Sequence, residues 1–166
     1  HMLAIAVPDT LSRASRKAWL EFIVARTSFG DGVPSKRAMT VAFGPDGLRR
    51  LGLDGGVDND PLGTFPVAFR HGMGNPERSR ILDDLGDSVP DKWQWGSPAK
   101  PVDTVIVCYA ESPEMLKAEV AALKRKTSGA GMALVSELPL AVNREGKRAV
   151  EHFGFVDGVS QPIVRG

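Results

Sequence analysis

The residue types best suited to chemistry gather near the end of the chain, in Glu151-His152-Phe153-Gly154-Phe155-Val156-Asp157-Gly158-Val159-Ser160-Gln161-Pro162. Asp157 is the chemical centre of this stretch. A carboxylate with an ordinary pKa of about 3.9 can take a proton from a bound reactant and return it later in the reaction. Gly154 and Gly158 free the backbone for conformations that a side chain would forbid and let a flat ligand come close. Phe153 and Phe155 can exclude water around the acid. The same residues also suit a plain Asp-Gly turn in which Asp157 bonds its own backbone. Local physics leaves both readings open.

Other candidates point to structure before function. Cys108, the single cysteine, lies in the apolar run 105–110 and reads as a small buried hydrophobe rather than a nucleophile. Trp93 and Trp95 have the chemistry to relay electrons, yet burial beneath a long loop is the simpler expectation, and Tyr109 is expected to pack within a strand. Met39, Met73, Met115 and Met132 read as core filler, and Lys124-Arg125-Lys126 as a solvated helix end.

Composition narrows the classes. With 166 residues, 42% hydrophobic and 25% charged, the chain has the profile of a soluble globular protein, and a single domain over residues 1–166 is the default. A chain of this length buries about 70% of its unfolded surface without a disulfide or structural metal. Twenty-one Lys and Arg against twenty Asp and Glu give a net charge of +1, which argues against nucleic acid as a partner. One cysteine excludes an intramolecular disulfide and a Cys-rich zinc or iron–sulfur site, and no metal ligand is assigned. No apolar run approaches the roughly 20 residues of a membrane span, and no secretory signal is present. No membrane partner is expected; the compartment is left open, with a cytoplasmic chain favoured over an exported one whose signal has been cut away. His1-Met2 reads as a cloning scar.

The elements that must position these residues follow from periodicity. An apolar strand over 3–7 stops at Pro8-Asp9 and leads into a helix in which Leu11, Ala14, Ala18, Phe22 and Ala25 recur at three- and four-residue spacing, with Trp19 and Ile23 widening the stripe and Ser12 or Thr10 as its cap. A second strand, 38–43, is closed by the turn Gly44-Pro45-Asp46-Gly47, and 48–53 forms one helical turn. Residues 54–101, rich in Gly, Pro and Asp, read as a long irregular insertion, a length that marks function or docking. A third strand covers 104–110. Ser112-Pro113 starts a second helix with Leu116, Val120 and Leu123 on one face, Gly129 supplies its left-handed end, and 132–140 is a fourth strand. Two βα units with antiparallel partners define an α+β fold. It is a ferredoxin-like split βαβ sandwich, a four-stranded antiparallel sheet with both helices on one face.

Gly154-Phe155-Val156-Asp157-Gly158 resembles the GxxDG motif of dye-decolourising (DyP-type) haem peroxidases. The flanking Glu-His-Phe-Gly-Phe and Ser-Gln-Pro fit the same family. So do Phe65-Pro66-Val67-Ala68-Phe69-Arg70-His71-Gly72-Met73, Leu85-Gly86-Asp87-Ser88 and the run from Pro90 to Trp93, in the order seen in the N-terminal half of these enzymes.

The resemblance implies two ferredoxin-like halves with haem b between them, held mainly by the C-terminal half. It makes 151–166 a distal haem-motif loop, Asp157 the distal acid–base residue, and Gly154, Phe155, Gly158 and Val159 the lining of the distal haem surface. It also implies hydrogen peroxide as oxidant, dyes or phenolic compounds as reductants, and a low pH optimum. The proximal histidine and the assisting arginine belong to the C-terminal half in that family, so the expectation is an N-terminal half that is inactive alone. His152 and His71 are weaker substitutes as axial ligands; an extended stretch of five residues from His152 to Asp157 spans only about 17 Å. Two alternatives stand beside this reading. One is a binding or assembly module that forms homo-oligomers through an exposed apolar face. The other is a small stand-alone α+β barrel that binds haem.

Overall fold

The computed structural model describes residues 1–30, 32, 36–53, 60–141, 143–146, 148–151, 153, 155 and 156. Strand β1 (Met2–Ala6) is followed by helix α1 (Arg13–Val24), strand β2 (Arg37–Phe43), helices α2 (Pro45–Leu51), α3 (Val67–His71) and α4 (Pro76–Ile81), and two 3₁₀ turns at Gly86–Ser88 and Pro90–Lys92. Strand β3 (Thr104–Ala110), helix α5 (Pro113–Gly129), strand β4 (Ala133–Leu138) and a two-residue hairpin of β5 (Arg144–Glu145) and β6 (Arg148–Ala149) complete it.

The main sheet has the order β2-β3-β1-β4, and every neighbouring pair is antiparallel. The β1–α1–β2 and β3–α5–β4 units interleave so that β3 lies between β1 and β2, which is the split βαβ arrangement expected from the sequence.

Both helices cover one face. Along β3, Thr104, Ile106 and Cys108 are buried while Val105 and Val107 are half-buried and Tyr109 is exposed, the period of a sheet covered on one side. The buried set joins Leu3, Ile5 and Met39 from the other strands to Trp19 and Ile23 of α1 and Val120 and Leu123 of α5. Burying each of these large apolar side chains is worth about 1.5–3 kcal/mol. The indole Nε1 of Trp19 donates to Thr127 Oγ1 at 3.2 Å, so the largest core side chain also ties α1 to α5 without leaving its polar atom unpaired. Tyr109 departs from expectation: it lies in the strand but on the uncovered face, 54% exposed, because period two sends it opposite Cys108.

Helix ends follow local chemistry. Ser12 Oγ accepts the Ser15 N–H and Ser112 Oγ accepts the Met115 N–H, each closing a first turn, with Pro113 at a position that needs no donor. At the far end of α5 the expected terminator shifts by two residues. Gly129 is the last helical residue, and Gly131, at φ +87°, makes the left-handed exit. The basic run is therefore not merely solvated: Lys124 Nζ bonds Glu137 at 2.6 Å and Lys126 lies over the Phe22 ring.

The Gly44–Gly47 stretch is not a simple turn. Gly44 is the N-cap of α2, Pro45 opens it and Asp46 stands in its first turn, where the helix dipole favours an acid. A Cβ at Gly47 would come within 2.1 Å of the Asp103 carbonyl oxygen, so only glycine lets α2 press against the start of β3. Asp103 is itself a buried anchor. Its Oδ2 accepts the Val7 N–H at 2.7 Å and its Oδ1 pairs with Arg50 Nη1 at 2.7 Å, while Arg50 Nε reaches Asp9 at 2.8 Å. Burial works against the Arg50 cation, but the hydrogen bonds and charges of Asp9 and Asp103 outweigh it and raise its pKa.

Candidate functional site

The C-terminal segment leaves β4 and folds back on itself. Gly146, at φ +61°, turns the β5–β6 hairpin, and the Val150 N–H donates to the Asn143 carbonyl at 3.0 Å. Val150 then pairs antiparallel with Val156, and the Glu151 N–H donates to the Phe155 carbonyl at 2.7 Å. These bonds close a tight loop between 150 and 156. Strands of two residues are too short to show alternation, so no periodic signal announces it.

Val150 is buried at the base of this loop. Phe153 and Phe155 are 88% and 73% exposed, and Val156 is 42% exposed. Of the residues assigned to the site from the sequence, Phe155 therefore stands at the surface with its ring outward. Gly154, Asp157, Gly158 and Val159 lie outside the described residues, as does His152. An outward group of two phenyl rings and a valine suits the edge of a flat apolar cofactor and costs free energy in water. The described part of the segment is thus compatible with haem.

The remaining candidates sort by environment. Cys108 is buried, and burial first, then the charge of Glu119, push its thiol from 9.0 up to about 11. It is neutral at physiological pH and inert as a nucleophile. His1 Nε2 lies 2.9 Å from Glu137 Oε1. His71 ends α3, exposed, on the wall of a second feature that the sequence did not reveal.

That feature is a cavity of about 920 Å³ between the insertion and the start of β3, walled by Phe69, His71, Arg78, Trp93, Trp95 and Val102. The described part of the insertion, expected to be irregular, carries α3, α4 and the two 3₁₀ turns. Its signals were local rather than periodic. Asn75 Oδ1 accepts the N–H groups of Glu77 and Arg78, with Pro76 at the first helical position, so Asn-Pro-Glu marked a helix start six residues long. Trp93 and Trp95 are half-buried here, in line with packing under the insertion, and Trp93 Nε1 donates to the Ser88 carbonyl at 2.9 Å. Phe65 stacks on Phe69 with ring centroids 4.9 Å apart.

Comparison with known proteins supports the resemblance read from the motifs. The chain is 28% identical over 129 residues to a dye-decolorizing peroxidase of Mycetinis scorodonius, a match that covers 78% of this chain and 23% of the relative. Its fold is that of solved DyP-type peroxidases. A DyP-type peroxidase from Anabaena sp. superposes with a TM-score of 0.74 at 20% identity, over 98% of this chain and 36% of that one. A decolorizing peroxidase from Auricularia auricula-judae gives 0.69 at 20% identity, over 99% and 35%. A dye-decolorizing peroxidase in complex with 2,6-dimethoxyphenol gives 0.67 at 22% identity, over 99% and 35%. The chain thus spans about a quarter of the curated relative and about a third of the solved chains. No family profile matches it. Among the described residues no helix is long and apolar enough to cross a membrane.

Proposed function

We propose that this chain is the distal-side part of a DyP-type haem peroxidase that uses hydrogen peroxide to oxidise dyes or phenolic compounds. The observation that carries the reading is the join of a GxxDG segment to an outward apolar loop, Phe153, Phe155 and Val156, on a fold shared with DyP-type peroxidases. The relative that binds 2,6-dimethoxyphenol supports a phenolic reductant.

Gly154, Phe155, Gly158 and Val159 would hold haem b from this side, together with a C-terminal half. When bound, haem would supply a Lewis-acidic iron and the two electrons that hydrogen peroxide, the oxidant, takes up, to be returned by the reductant. The chain's own contribution is proton traffic and shielding. Asp157 takes a proton from the peroxide at a carboxylate oxygen and returns it to the departing oxygen. Glycines on either side of the acid let it approach a flat ring, and the phenyl rings keep water from competing for the proton. A low pH optimum belongs to the same reading, since a carboxylate rather than an imidazole is the proton acceptor.

Two measurements test the reading. In the full-length protein, Asp157→Asn keeps the haem absorption band and lowers kcat/KM for peroxide by about 10²- to 10⁴-fold. A pH–rate profile unchanged by that substitution overturns it. The 166-residue chain alone, titrated with haemin, forms no stoichiometric complex and shows no turnover of 2,6-dimethoxyphenol. A tight, active complex would instead favour a stand-alone haem binder with an axial histidine of its own.

A further inference from the structure

The cavity under the insertion has a chemistry of its own, separate from the C-terminal motif. We propose that it binds a small planar aromatic anion, a carboxylate or its equivalent, with Arg78 as the charge partner. This inference stands independently of the peroxidase reading.

Size and shape come first. About 920 Å³ falls within the range of small-molecule pockets, and Phe69, Trp93, Trp95 and Val102 give it flat, apolar walls suited to an aromatic ring. Charge comes second. Arg78 lines the cavity, is half-buried, and has a buried Nε with no hydrogen-bond partner among the described residues. No carboxylate among them lies within ion-pair distance of its guanidinium. A permanent cation without a counter-charge on the wall of a largely apolar cavity favours an anion over a neutral ligand of the same shape.

The acids nearby do not compensate it. Asp46 also lines the cavity, but it is engaged by Arg49 Nη1 at 3.1 Å. Asp103 spends both oxygens on the Val7 N–H and on Arg50. His71 on the same wall adds a second group able to donate.

The frame is also held in advance. Asn75 caps the helix that carries Arg78, and the Ser88 carbonyl fixes the Trp93 indole. The turn beyond Trp95 is closed by Gly96 N–H to the Lys100 carbonyl at 2.8 Å and by Ser97 Oγ accepting the Lys100 N–H. Walls fixed by backbone bonds lose little entropy when a ligand enters.

The test uses 2-naphthoate as probe and 2-naphthamide as its neutral isostere, each titrated into the chain by calorimetry and by NMR of the indole N–H signals. Naphthoate is expected to bind with a Kd below about 1 mM and at least about tenfold more tightly than naphthamide. It should shift the indole signals of Trp93 and Trp95 and leave Trp19 in place. Arg78→Gln should abolish the preference for the anion, and Arg78→Lys should restore part of it. Equal affinity for the two probes, shifts confined to Trp19, or no binding by naphthoate overturns the proposal. If Arg78→Gln fails to fold, the comparison of the two probes on the unaltered chain decides by itself.

Discussion

Trp19 and Phe153 are aromatic side chains of one chain in opposite environments: the first has no exposed surface, and the second keeps 88% of its own. Around Trp19, two helices and the inner face of the sheet bury apolar side chains from β1, β2 and β3, and the one polar atom of the indole finds Thr127. Around Phe153 the backbone is tied, by Val150 against Val156 and Glu151 against Phe155, yet the rings face water. The contrast separates a region whose large apolar side chains are buried against one another from one whose backbone is tied locally while its phenyl rings stay exposed.

The largest effects are expected in the buried region. Trp19→Ala removes the biggest core side chain and strands Thr127 Oγ1, so it should cost about 3–5 kcal/mol in urea denaturation. A cost below about 1 kcal/mol would mean that the helix-covered face is looser than its packing implies. Asp103→Ala comes next. It leaves the Val7 N–H and the Arg50 guanidinium without their shared partner at a site where Asp103 is 1% exposed, and a loss of about 3 kcal/mol is expected. Because Asp103 also bounds the cavity, the same variant should disturb the Trp93 and Trp95 indole signals; undisturbed signals would show that the insertion holds its shape without the anchor.

This division also explains what the sequence disclosed. The strand over 104–110 and the Ser112-Pro113 start of α5 were legible because each is long enough for its period or cap to stand out. The helix at α1 was legible too, but its stripe was centred on the wrong face: Ala14, Ala18 and Ala25 are exposed, and the bulkier Trp19 and Ile23 are the side chains it buries. The topology followed from their order. Helices of five and six residues in the insertion have too few turns for a stripe, and their only marks were Asn75-Pro76 and Pro66. Tyr109 was misjudged because its strand was recognised but the covered face was not assigned. The cavity was beyond reach for a different reason: it joins Arg78 and two tryptophans to Val102 at the start of β3, and no local pattern announces that meeting. At the C-terminal end the motif was read by resemblance, since its physics alone also describes a turn.

Cys108 gives a smaller, pH-dependent effect on the buried side. Burial holds its folded-state pKa at about 11 against an ordinary value of 9.0, so the folded chain keeps the thiol proton where the unfolded chain sheds it. Its contribution to stability is intact below about pH 9 and is lost as pH rises toward 11, at most about 2–3 kcal/mol. Urea denaturation from pH 8 to 11 should show this decline in the unaltered chain and not in Cys108→Ala. Parallel curves for the two proteins would show that the thiol is more hydrated than its position under α5 and α1 indicates.

The smallest effect tests the other side of the comparison. Phe153→Ser with Phe155→Ser removes two rings that are 88% and 73% exposed and that make no stacking contact among the described residues. Exposed substitutions of this kind change stability by about 0.5 kcal/mol or less, and serine adds nothing that the loop must bury. Thermal denaturation should therefore be unchanged within that margin, while self-association of the chain at high concentration falls, because water-exposed phenyl rings promote it. A stability loss above about 1 kcal/mol would break the contrast, since it would mean that the rings already pack within this chain and that the C-terminal loop is a finished part of the fold.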